Sequence, residues 1–112
     1  MTSRMETLLW LVQRASAAVL ALCVGVHLLT IIYAVQGGLS AAEILGRTRG
    51  NVAWFAFYLA FAAAVSLHAP IGLRAVFREW LGWRGKGCDL FLLGFAGLIF
   101  FLGIRAALAV FT

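Results

Sequence analysis

Two histidines, an arginine and a serine are the residues best placed to do chemistry in an otherwise apolar chain. His27, His68, Arg14 and Ser16 all fall within runs hydrophobic enough to be immersed in lipid. Ionisable groups in that setting are functional candidates by default. Residues four and seven apart share a helix face, so Ala64, Gly72 and Ala75 line up with His68. An imidazole flanked by so little bulk suits axial ligation of a flat macrocycle such as haem, with the ring lying against the backbone. A histidine that only hydrogen-bonds between packed helices has the same sequence signature, and the residues alone leave both readings open.

In the first apolar run, Gln13, Arg14 and Ser16 cluster one to two turns from its start. Polar groups at that depth need hydrogen-bond partners, either a neighbouring helix or a polar ligand headgroup such as a quinone carbonyl. Arg14 alone could also snorkel to the headgroups. His27 lies deeper, with Ser16, Leu20 and Cys23 on its face.

The elements that carry these groups follow from composition. The chain has 112 residues and is 64% hydrophobic, with a mean hydropathy of +1.03. That is far outside soluble usage and places one small domain, residues 1–112, in a bilayer. Runs at 8–35, 52–77 and 90–111 are each long enough to cross a hydrocarbon core about 30 Å thick. The expected fold is therefore all-α, with three transmembrane helices packing into a larger bundle with partner helices. Glycine-rich polar stretches separate the spans, and Ser40 followed by Glu43 reads as a capping box for a short surface helix. Trp54, Phe55, Phe57 and Tyr58 form an aromatic belt at one end of the second span, and Trp80 and Trp83 mark its other end. Pro70 is expected to kink the helix beside His68. Gly94, Gly97 and Gly103 give the third span the look of a close-packing helix.

The net charge of +5 marks topology and does not form a nucleic-acid surface. Arg4, Arg14, Arg74, Arg78, Arg84 and Lys86 gather at one side, whereas Arg47 and Arg49 lie at the other. The positive-inside rule then puts the N-terminus in the cytoplasm. Arg105, near the end of the third span, snorkels outward or meets an acidic ligand group. Gln13-Arg14 interrupts the first run where a cleaved leader would be continuous, so that run is read as a permanent helix. Cys23, within a span, and Cys88, in the loop before the third span, are too few for an iron–sulfur cluster. No glycine-rich nucleotide motif is present, so flavin or nicotinamide chemistry would belong to another chain.

Depth separates the two histidines. The first and second spans run in opposite directions, and each histidine sits past the midpoint of its own helix. At 1.5 Å per residue His27 lies about 7 Å toward the outside and His68 about 6 Å toward the cytoplasm, a difference of roughly 13 Å. One iron with opposed nitrogen ligands does not bridge that offset. Each histidine therefore needs a mate from another subunit or a second copy.

With these residues in order, the chain resembles the three-helix membrane anchor subunits of the succinate dehydrogenase and fumarate reductase family, of the small cytochrome b type, over nearly its whole length. His68-x-x-x-Gly72-Leu73-Arg74 resembles the second-helix haem motif, whose histidine is an axial ligand. The acid that follows in the family is matched by Glu79, and the tyrosine after it is Trp80 here. Gln13-Arg14-Ala15-Ser16 is similar to the first-helix polar motif near the quinone, although a serine found four residues before the arginine in some relatives is Trp10. His27 is similar to the first-helix ligand of the outer haem in two-haem members.

The resemblance implies a cofactor set of one or two haem b groups shared with a partner subunit. His68 and His27 would be the iron ligands, with Gly72 and Arg74 beside the cofactor. Arg14, Ser16, Glu79 and Trp80 would contact quinone. It further implies flavoprotein and iron–sulfur subunits on the cytoplasmic face, a second anchor subunit or second copy, and residence in the bacterial inner membrane. The rival readings are a small transporter subunit with an intramembrane proton or cation path and a haem-free structural anchor. Against the transporter, no acidic residue lies inside a span.

Overall fold

A computed structural model describes residues 3–112. Helix α1 spans Ser3–Gly37, α2 spans Ala41–Thr48, α3 spans Val52–Val76 and α4 spans Lys86–Phe111. A π-helical turn, Phe77–Leu81, extends α3. Among the described residues, three helices are long and apolar enough to cross a membrane, namely α1, α3 with its π turn, and α4. At 1.5 Å per residue α1 is about 50 Å long, well beyond a hydrocarbon core of about 30 Å, so it tilts or projects from the bilayer.

All three spans are longer than expected, the first running Ser3–Gly37 where 8–35 was expected. The second runs on from position 77 to Leu81, because the wider π turn keeps the backbone bonded until Gly82, whose φ of 63° ends it. The third begins at Lys86 and not at position 90. Cys88 therefore belongs to the first turn of α4, where it is only 1% exposed, and not to a loop.

The predicted capping box is present: the Ser40 N–H donates to Glu43 Oε2 at 3.0 Å and the Glu43 N–H donates to Ser40 Oγ at 3.2 Å. Gly38, at φ 112°, has the left-handed backbone that this tight entry needs, and a Cβ there would run into the Glu43 carboxylate. Asn51 caps α3 by accepting the Trp54 N–H at 3.2 Å. The turn between them also closes the far end of α4. Thr48 Oγ1 donates to the Val110 carbonyl at 2.7 Å and the Gly50 N–H to the Phe111 carbonyl at 2.8 Å, satisfying acceptors that a helix C-terminus leaves open.

Helix α3 is central and packs on both α1 and α4. The buried side chains are mostly small or weakly polar: Ser16, Cys23 and Ala34 on α1, Ala62, Ala64 and Pro70 on α3, Cys88 and Ala107 on α4, with Leu92 on α4 the large apolar exception among the described residues. Large apolar side chains such as Leu22, Leu29, Leu90 and Leu93 point outward. That inversion of a soluble core is expected where lipid is as apolar as leucine and helices associate by close contact of small residues. The closest such contact is Gly103 against Ala62, where an added Cβ would come within 2.5 Å of the alanine methyl. A Cβ added at Gly87, Gly94 or Gly97 would meet nothing within 4 Å, so of the four glycines in α4 only Gly103 packs closely within this chain.

Candidate functional site

His68 sits on the face of α3 turned toward α1, one turn after the buried Ala64 and one turn before Gly72. Its Nδ1 lies 3.4 Å from Ser16 Oγ, and the same hydroxyl donates to the Gln13 carbonyl at 3.1 Å. The Gln13 side chain lies over Gly72, where a Cβ would be 3.2 Å from Nε2 of the amide. Glycine at 72 thus lets α1 approach, and Gln13, Ser16, His68 and Gly72 form one polar seam between two helices. Ala75, expected on the same face, is exposed.

His27 occupies the other end of the same helix pair. Its ring is held between the edges of Tyr58 and Phe61, with centroids 5.9 and 5.7 Å away. It borders a cavity of about 750 Å³ also lined by Thr30, Arg47, Trp54 and Tyr58. It borders a second, of about 480 Å³, reaching Ala62 and Gly103. Ser16 marks the height of His68 and Tyr58 that of His27, so the two imidazoles are separated by the rise from Ser16 to His27, roughly 16 Å. The separation of levels anticipated from the sequence is present, and no single iron reaches both rings.

The polar cluster on α1 divides. Ser16 is buried and turned to α3, whereas Arg14, two residues earlier and so on a different face, is exposed with its guanidinium 5.1 Å from the Trp10 ring. Arg14 and Ser16 therefore do not converge on one ligand within this chain. Glu79 and Trp80 are both exposed on the π turn at the same end of the bundle. Arg105 is exposed, 6.0 Å from the Phe101 ring.

Arg74 has a clear partner set. Its guanidinium lies 3.4 Å from Glu6 and 3.8 Å from Asp89, and Arg78 lies 3.6 Å from the same Glu6. One side chain so ties the starts of α1 and α4 to the end of α3. Sequence reasoning treated Arg74 as a cofactor residue and did not anticipate this clamp. The available signal was that acids in the first turns of α1 and α4 share a membrane end with the last turn of α3. It also missed Tyr58 and Arg47 beside His27, since Tyr58 reads as an interfacial aromatic and Arg47 as a topology charge. Among the described residues, no group of three or more histidine, cysteine or acidic side chains gathers to hold a bare metal ion.

The match that decides the family is to the model of the succinate dehydrogenase/fumarate reductase transmembrane subunit, over residues 1–106 of the 112. The chain belongs to this family. Neither the curated proteins nor the solved structures give a significant match. As a succinate dehydrogenase/fumarate reductase transmembrane subunit, it is an integral membrane protein whose membership implies association with the catalytic subunits of such a complex.

Proposed function

We propose that this subunit binds haem b through His68 and conducts electrons between a peripheral flavin and iron–sulfur module and membrane quinone. The observation that carries the reading is the setting of His68. Its imidazole is half-buried at the α1–α3 seam with Nδ1 at a protein hydroxyl, and among the described residues Nε2 has no hydrogen-bond partner. A ligating histidine normally has one ring nitrogen held by the protein and the other turned to the metal. One imidazole from this chain fits a haem, whose second axial ligand then comes from a partner anchor or a second copy. When bound, haem supplies reversible one-electron transfer.

The remaining residues divide by level. His27, beside a cavity whose volume is in the range of cofactor sites, serves a second, outer haem. At the inner end Arg14 donates to a quinone carbonyl, and Glu79 and Trp80 lie at the mouth where protons enter. The basic residues Arg78, Arg84 and Lys86 face the cytoplasm and receive the soluble module, in the inner membrane of a bacterium.

The test is the reduced-minus-oxidised visible spectrum of the purified complex together with haem per protein. A b-type band is expected. His68→Ala should remove one haem and leave the His27-dependent one, and His27→Ala the reverse. Unchanged haem content in both variants would refute the assignment.

A further inference from the structure

We infer that Ser16 is a positioning residue that fixes the protonation pattern of the His68 ring, holding the proton on Nδ1 and leaving Nε2 as the bare, electron-donating nitrogen. The inference rests on the reading of His68 as an axial ligand and concerns how this chain prepares that nitrogen.

A serine hydroxyl has one proton and two lone pairs. In this structure it points to the Gln13 carbonyl at 3.1 Å, which has no proton to offer and acts only as acceptor. With its proton there, Ser16 has only lone pairs to offer His68. The contact of 3.4 Å between Ser16 Oγ and His68 Nδ1 then has one polarity: Nδ1–H donates and Oγ accepts. A neutral imidazole with its proton on Nδ1 has its lone pair on Nε2, the form required of a nitrogen that binds metal. Were the hydroxyl turned to donate to Nδ1, the ring proton would sit on Nε2 and block ligation. The backbone carbonyl one helical turn back thus decides the polarity of the relay, and Ser16, only 5% exposed, is shielded from water that would replace it.

On this reading Ser16 serves the imidazole and not a quinone. Its oxygen is engaged on both sides within the helix pair, whereas Arg14 faces outward from the same helix. A hydrogen bond accepted from Nδ1–H makes the imidazole a stronger donor, which favours the oxidised iron.

The experiment uses the assembled complex with Ser16→Ala, Ser16→Cys and Ser16→Thr. It reads haem content, the midpoint potential and low-temperature EPR signal of the haem lost in His68→Ala, and the quinone KM. Ser16→Ala should shift that potential upward, move the EPR signal and loosen haem retention by about 10-fold or more, as loss of an outer-shell partner does. Ser16→Thr keeps the hydroxyl and should restore wild-type values. Ser16→Cys, close in size but a poor acceptor, should shift in the same direction as Ala, so the outcome is readable even if Ala loses the haem altogether. Potentials and EPR signals unchanged in both Ala and Cys overturn the inference, and so does a raised quinone KM with an unmoved potential. If instead His68→Ala retains all haem, it is the ligand reading that fails, and the two failures are distinguishable.

Discussion

The two ends of the α1–α3 pair hold a histidine by different means. At the inner end the His68 ring is fixed through a nitrogen, by a buried hydroxyl, and the helices around it are tied by Arg74 to Glu6 and Asp89. At the outer end the His27 ring is held by its edges, between Tyr58 and Phe61, and the space beside it is open. A hydrogen bond selects a tautomer and an angle, whereas edge-to-face aromatic contacts restrict position but leave either nitrogen available. On the proposed reading, the inner imidazole is oriented by the protein itself, while the outer one is oriented by whatever fills the space beside it.

The strongest way to break this contrast is at Gly103. Because a Cβ there would meet Ala62 at 2.5 Å and no rotamer relieves that, Gly103→Leu should push α4 from α3 and cost about 1–3 kcal/mol or more. Gly103 also borders the cavity of about 480 Å³ beside His27. The expected result is a lower thermal midpoint in detergent, with loss of the His27-dependent haem and retention of the other. Equal loss of both would show that the two ends are not independent.

A smaller effect is expected from Arg74→Gln. The arginine side chain is only 12% exposed but its two acids are about half exposed, so the clamp should be worth about 1 kcal/mol, nearer the surface value than the buried one. Destabilisation should be confined to the inner end and should shrink with added salt, which can be followed by amide exchange in the first turns of α1 and α4.

The smallest effect lies outside the span, at α2. The Ser40 N–H, with help from the Ser40 side chain and the nearby Arg47, holds the Glu43 carboxyl below its ordinary value. A lowered folded pKa stabilises α2 at pH values above the ordinary one, and that contribution is lost as pH falls through the lowered value. Amide exchange in α2 should thus quicken only in the acidic range, and Glu43→Gln should abolish that dependence.

The number and order of the spans were legible because twenty or so apolar residues in a row have few other fates. The capping box was legible because Ser40 and Glu43 are close in sequence and answer each other locally. The difference in height between His27 and His68 could be reached from helical rise alone. What could not be read were pairings across helices. Ser16 was seen on the His27 face, yet its partner is His68, because the face continues down α1 to where α3 brings its own histidine. Gly94 and Gly97 have the same composition signal as Gly103, but only rotation of α4 against α3 decides which one is packed. Arg14 and Ser16 were grouped by proximity, and helix geometry separates them.

The bonds from Thr48 and Gly50 to the last carbonyls of α4 have a bearing on traffic. They pin the short surface helix down over the chamber that Ile44 and Thr48 roof beside His27. Raising that roof would sacrifice both bonds, about 0.5–1.5 kcal/mol apiece. The cavity beside His27 is therefore closed on its aqueous side by bonds that tie three helices together.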